Sequence, residues 1–411
     1  MKTIGVVVPS FEDTGGVPTV ATFVLRAIAR RPDLRAKVIS LATSSRDPCS
    51  LLLADPRTWL RGITTRVGRC HDHDFVHVGA AAGEFEFQRL ARRTALSQVL
   101  SDCDLIQVIA GAPSWAGPVL GLGKPVALQV ATLTAVERRM RARTSAGPKA
   151  AWRAAMTRIV ARLDDRALQR ADAVLVENPW MQAYAAKRAG RHTQVVYGPP
   201  GVDADLFRPV AAGEQAPPRP YILAVGRFSD VRKNPMLLLR AYARLCAAAG
   251  DAPDLVLAGA DGPSEAFWSA AEADGLAGRI RFEHRPDAET LAALFRHAVC
   301  LAVPSDEEGF GIVVIEAMAS ATPVVSTRSG GPDGIITDQV DGFLVDRDDD
   351  AAMAERIIAL VRDRGLRGEV GARGRATVAA RYEDRVAGDV YLGVYDRLLA
   401  GRPVVVERPV S

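Results

Sequence analysis

Two carboxylates eight positions apart, Glu308 and Glu316, bracket a glycine-flanked phenylalanine in "SDEEGFGIVVIEAMA" (305–319). Such a pair could be a general acid and base, a metal site, or a clamp for a ligand. On one straight helix the two would lie about 12 Å apart along the axis. The "GFG" between them argues against that helix, because two glycines favour a tight loop. The stretch reads instead as a strand "VCLAVP" (299–304), a loop "SDEEGFG" and a helix "IVVIEAMAS". Glu308 then sits in the loop and Glu316 on the second helical turn, both beside a helix N-terminus. Unpaired N–H groups there attract anions, and glycine lets a phosphate come close. Carboxylates at such a corner can accept hydrogens from hydroxyls, which is what gripping a nucleotide sugar requires. The plain alternative is two solvated glutamates around a helix start.

Two further corners offer related chemistry. "YILAVGRFSDVRKNP" ends a strand at Gly226 and then presents Arg227, Arg232 and Lys233 before the next helix. Cations at a strand's carboxyl end can neutralise a diphosphate, arginine with two parallel hydrogen bonds. "FEDTGGVPTVATFVLRAIA" runs from the first strand into Thr14-Gly15-Gly16 and a helix with Pro18 in its first turn. Gly-Gly before a helix can cradle phosphate or be an ordinary turn. It is neither GxGxxG nor a Walker loop, so no dinucleotide or ATP is specifically indicated.

The elements that must position these corners follow from the alternation of apolar runs with helical periods. "IGVVVPS" (4–10), "AKVISLA", "DLIQVIA", "PVALQVA", "DAVLVEN" and "TQVVYG" read as strands in the first half. Most are apolar throughout, as buried parallel strands are. Helical patterns lie between them, as from Val17 to Arg30 and from Pro148 to Gln169. The proline-rich "RPVAAGEQAPPRP" (208–220) breaks the pattern as a linker. A second series then begins: "YILAVG", "DLVLAG", "RIRFEH", "VCLAVP" and "TPVVST". We expect an α/β chain of two Rossmann-like, doubly wound parallel-sheet domains facing across a cleft that takes the ligand. The divisions are 1–210, 211–383, and a last helical segment 384–411 packing back on the first domain. A length of 411 residues suits two domains. The net charge of +4 does not call for nucleic acid. Five scattered cysteines without a CxxC pair suit a reduced, cytoplasmic protein. The start "MKTIGVVVPSF" reads as a buried strand, and no apolar run is long enough to span a membrane.

In combination these motifs resemble retaining glycosyltransferase family 4, which has the GT-B fold. "PSDEEGFGIVVIEAMASATPVV" is similar to the family's E-x7-E signature. "VGRFSDVRKN", "GPPGVDADLFRP", "GGPDGIITDQVDGFLV" and the Gly-Gly turn extend the likeness in order along the chain. The resemblance implies transfer of a sugar from a nucleotide-diphosphate sugar, a UDP-sugar first, to a hydroxyl acceptor, without a cofactor or metal. It implies that Glu308 and the backbone of Gly309, Phe310 and Gly311 contact the donor sugar, with Ile312 next to them. Glu316 would hold the ribose, Arg227 and Lys233 the diphosphate, and Gly16 would approach it from the other domain. Arg227, Lys233 and Glu308 would form the catalytic set, through electrostatic stabilisation rather than the acid–base pair of a glycosidase. The acceptor is expected on the first domain near Glu12, Asp13, the 110–115 stretch and Thr132.

The chain also departs from the family pattern. Ala131, in "KPVALQVATLT", stands where the family commonly has a histidine. "RFEHRP" replaces an F-x-G element with Glu283-His284-Arg285, and Ala321 replaces a frequent glycine. The missing histidine motivates a second reading, a non-catalytic GT-B subunit that activates a partner. A sugar-nucleotide epimerase is a third. "CHDHD" (70–74) suggests a metal site, yet no third ligand is identifiable, and an acceptor-side loop is preferred. The basic segment 137–170, with Lys149, Arg153, Arg158, Arg162, Arg166 and Arg170 at near-helical spacing, is a solvated face or a contact for anionic lipid or an anionic acceptor.

Overall fold

The computed structural model describes residues 1–13, 15–139 and 147–401, with only the backbone at 148 and 149. Thr14, part of the basic segment and the end of the 384–411 segment lie outside the described residues. The chain divides into two compact units, Met1–Pro200 with Ala387–Ser411, and Gly201–Val386.

In the first unit, strands β1 (Lys2–Pro9), β2 (Leu34–Leu41), β3 (Thr65–Cys70), β4 (His73–Val78), β5 (Leu105–Ala110), β6 (Val126–Val130), β7 (Ala173–Val176) and β8 (Gln194–Tyr197) form one sheet. Its order is β3-β4-β2-β1-β5-β6-β7-β8. Neighbours are parallel except for the hairpin β3–β4. Where the sequence reading expects an acceptor-side loop at "CHDHD", the structure places Cys70 at the end of β3 and His73 and Asp74 at the start of β4. His71 and Asp72 form the hairpin tip with φ of 50° and 60°, a left-handed turn. Because the tip carries charge and strand β3 is largely exposed, the apolar-run criterion passes over it. Strands β5 and β6 are buried at every position, which accounts for their continuous apolar sequence. Helix α1 (Gly16–Ala29) follows β1 and buries Phe23, Val24 and Ile28. Helix α2 (Pro148–Arg170) exposes Trp152 and Ile159 in its first half, and in its second half buries Val160, Asp164, Ala167 and Leu168 while Arg162, Arg166 and Arg170 stay exposed.

In the second unit, β9 (Tyr221–Val225), β10 (Asp254–Gly259), β11 (Ile280–His284), β12 (Leu301–Val303), β13 (Val324–Thr327) and β14 (Phe343–Val345) give a parallel sheet ordered β11-β10-β9-β12-β13-β14. The order reverses direction between β9 and β12, the switch point at which open α/β sheets bind ligands. Helices α3 (Pro235–Ala248), α4 (Ile312–Ala319), α5 (Pro332–Ile335) and α6 (Arg364–Arg381) pack around it.

The stretch 201–220 carries no helix or long strand, and it is anchored to the second unit. Val202 bridges Glu383, and Phe207 packs edge-on to Phe295. Glu214 accepts from the Ala211 N–H, from Arg296 and from Arg208. Those donors push its carboxyl down to about 2. The last described helix, α7 (Asp384–Leu399), belongs from Ala387 onward to the first unit. There Tyr391 Oη donates to Gly198 O at 2.9 Å and Tyr395 Oη to Gln107 Oε1 at 2.9 Å, both buried.

Candidate donor site

Three loops of the second unit meet at the carboxyl ends of β9, β12 and β13. The loop after β9 carries Arg227, which is exposed, then a 3-10 turn, Val231–Lys233. Asp230 shapes that turn, accepting from the Arg232 backbone and from its guanidinium at 2.7–3.1 Å. Burial would raise the Asp230 carboxyl, but Arg232 outweighs it and brings it down to about 2. Asn234, in the left-handed region with φ of 41°, accepts from the Leu237 N–H and so caps α3. Its amide also reaches Asp306 at 3.0 Å, tying this loop to the one after β12.

That second loop holds Glu308. Its carboxylate accepts from Lys233 Nζ at 2.6 Å and from Ser305 Oγ at 2.7 Å. Its backbone pairs with the loop after β13, through Glu308 N–H to Ser329 O and Gly331 N–H to Glu308 O, both 2.9 Å. A side chain at Gly331 is excluded, since a Cβ would lie 2.1 Å from Phe310 O. Phe310 turns its ring into the core against Tyr382, leaving only backbone for a ligand. Gly311 adopts φ of 100° and opens α4 without any side-chain cap. The N-terminus of α4 beginning at Ile312 is therefore ready for an anion. Glu316, one turn further, is 8% exposed and no described side chain or backbone N–H donates to its carboxylate. Burial alone pushes it up to about 7.

The structure thus joins Lys233 to Glu308 and sets Gly309, Phe310, Gly311, Ile312 and Glu316 on the loop and helix that follow. Arg232, read from the sequence with Arg227 and Lys233 as a cation for a diphosphate, is instead held by Asp230, and Ser305 and Asp230 escape the sequence reading as positioning groups. Ser305 stands inside the quoted motif, so only its partner was hidden.

In the first unit, Gly16 is the exposed first residue of α1, after Gly15 at φ of 128°. Asp13 is exposed, whereas Glu12 is engaged by Arg66 of β3. Thr132 follows β6, 7% exposed, and its hydroxyl has no partner among the described residues. At Ala131 the peptide is held by Gly111 O and by the Asn178 side-chain amide. His71 and His73 do not gather a third ligand among the described residues, and His71 packs edge-on to Phe11 instead.

Residues 211–377 match the family model for Glycosyl transferases group 1. Among curated relatives, the D-inositol 3-phosphate glycosyltransferase of Salinispora tropica is 37% identical over 231 residues, covering 51% of this chain and 47% of that protein. The Mycobacterium tuberculosis protein of the same name is 35% identical over 215 residues, 49% of this chain and 43% of its own length. The chain spans about half the length of the curated relatives it matches. Among solved structures, sucrose-phosphate synthase from Thermosynechococcus elongatus is similar with a TM-score of 0.74 at 22% identity, over 98% of this chain and 100% of that one. Anabaena HepE in complex with UDP and glucose gives 0.69 at 16% identity, over 96% and 100%. These likenesses establish the fold, two Rossmann-like domains of GT-B type.

Proposed function

We propose that this chain is a retaining glycosyltransferase of family 4, moving a sugar from a nucleotide-diphosphate sugar to a hydroxyl acceptor. The observation that carries the reading is one corner holding three complementary groups. Lys233 offers a cation, Glu308 lies 2.6 Å from it, and Glu316 is buried without a donor behind the uncapped start of α4. The match of residues 211–377 to glycosyl transferases supports the same reading.

In this mechanism the arriving diphosphate takes Lys233 from Glu308, and Arg227 adds a second cation. Glu308, still held by Ser305, turns its freed lone pairs to sugar hydroxyls. The ribose hydroxyls donate to Glu316, which favours its charged form. Charge grows on the leaving phosphate as the glycosidic bond breaks, and the phosphate helps take the acceptor's proton on the same face. Fixed donors at such a charge contribute about 3–4 kcal/mol each to the barrier. No metal or cofactor is required. A UDP-sugar is the first donor to try, since HepE was solved with UDP. An inositol phosphate is the first acceptor, after the names of the curated relatives; saccharides, lipid-linked sugars and small natural products follow. Glu12, Asp13 and Thr132 are its expected contacts. We place the protein in the cytoplasm, with peripheral membrane contact through the exposed Trp152, Arg158, Ile159 and Arg162 of α2. No described helix is long and apolar enough to cross a membrane.

Thermal shift against UDP-, GDP-, ADP- and TDP-sugars tests the donor, a ligand at 100 times its Kd stabilising by about 2.7 kcal/mol. Product analysis with acceptors follows. Ala131 favours one rival, the non-catalytic subunit, which predicts donor binding without transfer or hydrolysis. Conversion of donor without any acceptor would point to the epimerase.

A further inference from the structure

A polar cluster lies in the first unit, outside the second unit's loops described above and beside Arg66, the residue that engages Glu12. Among the described residues, Asp47, Cys49 and His77 are the one set of three metal-ligating side chains whose ligand atoms all lie within 4.8 Å of one another. Each is nearly buried, at 7%, 6% and 7% exposure. They come from the loop after β2 and the end of β4, which the sheet brings side by side.

We infer that these three side chains form a binding site for a zinc-class divalent ion. The set is mixed, one imidazole, one thiol and one carboxylate, which is the donor choice of zinc rather than of magnesium or calcium. The outer contacts leave the correct atoms facing inward. Ser40 Oγ meets His77 Nδ1 at 3.2 Å, so Nε2 points to the centre. Asp47 Oδ1 accepts from the Cys49 N–H at 3.0 Å and from Ser50 Oγ at 2.8 Å, so Oδ2 points there too. Metal-binding imidazoles and carboxylates are usually oriented by such outer partners. Ser40 and Ser50 are themselves fixed, accepting from the N–H groups of Phe11 and Ala80.

His77 Nε2 and Asp47 Oδ2 are 2.7 Å apart, a hydrogen bond. Around zinc the two would separate to roughly 3.4 Å, given bonds of about 2.0–2.2 Å and tetrahedral angles. A small rotation of each side chain suffices. The neighbouring Arg93 does not occupy the site, because its guanidinium goes to Gly79 O and Arg89 O at 2.6 and 2.7 Å. One thiolate and one carboxylate balance the ion's two charges, and the fourth position is left for water. This site does not depend on the transferase reading.

Cobalt(II) is the probe, titrated into the reduced, chelator-treated full chain. We expect one equivalent bound with tetrahedral d–d absorption and a sulfur-to-cobalt charge-transfer band, displaced by one equivalent of zinc. Cys49→Ser should remove the charge-transfer band and weaken binding at least 100-fold, while Ser40→Ala should weaken it about 10- to 100-fold. Cys70→Ser, at the exposed hairpin, should change neither. Absence of uptake by the wild-type chain would overturn the proposal whatever the variants do. So would binding that follows Cys70 and survives Cys49→Ser.

Discussion

Lys233 and Glu308, 75 positions apart, share a 2.6 Å ion pair at the meeting point of two loops in the second unit. A ligand phosphate and a ligand hydroxyl would compete for the same two groups. In the proposed transferase reading the pair would hold the corner in shape and give way when both partners are replaced together.

Lys233→Ala should lower kcat/KM with the cognate donor by about 100- to 1,000-fold, as loss of a charge-stabilising donor does. Glu308 keeps Ser305, so the loss in stability should stay near 1–2 kcal/mol. Steady-state kinetics beside a urea melt checks both. Unchanged kinetics would remove Lys233 from the mechanism.

Glu316 carries a pH signature. Its carboxyl is raised from 4.5 to about 7 in the folded protein. Between those values the folded state keeps a proton that the unfolded state releases, so stability falls as pH rises through this window. Above about 7 the full cost, about 3 kcal/mol, is present. Glu316→Gln should therefore stabilise the ligand-free protein at pH 8 and make little difference near pH 4.5. It should also weaken nucleotide binding at least tenfold. Urea denaturation at the two pH values is the measurement, and equal stability at pH 8 would contradict the assignment.

Gly331→Ala would put a Cβ 2.1 Å from Phe310 O. Because the obstacle is backbone, the loop carrying Glu308 must move, at a cost of about 1–3 kcal/mol. Nucleotide affinity should fall with it. A Gly330→Ala control, at a position with φ of 107°, separates strain of the turn from displacement of the Glu308 loop. Hydrogen exchange should loosen residues 305–311 in the Gly331 variant.

Tyr395→Phe leaves the buried Gln107 Oε1 without the hydroxyl that serves it at 2.9 Å. An orphaned buried acceptor costs about 1–3 kcal/mol. Thermal melting should drop accordingly, with donor affinity unchanged, since both residues belong to the first unit.

The sequence by itself determined the alternation of strands and helices and the motifs at their ends. Strands β5, β6 and β9 were legible because burial on both faces demands continuous apolar residues. The loop and helix around Glu308 and Glu316 were legible because Gly309 and Gly311 break the helical period. Other features leave no such local mark. Strand β3 is largely exposed and the hairpin tip is polar, and the β3–β4 pairing is a property of register rather than of composition. That Glu308 meets Lys233 while Glu316 stands without a donor was decided only by the order β9-β12-β13, which brings distant loops to one edge. The gathering of Asp47, Cys49 and His77 has the same cause: β2 and β4 are neighbours in the sheet though more than thirty residues separate them. Residue types set what each corner can bind. Tertiary contact decides which charges are already answered and which are left for a ligand.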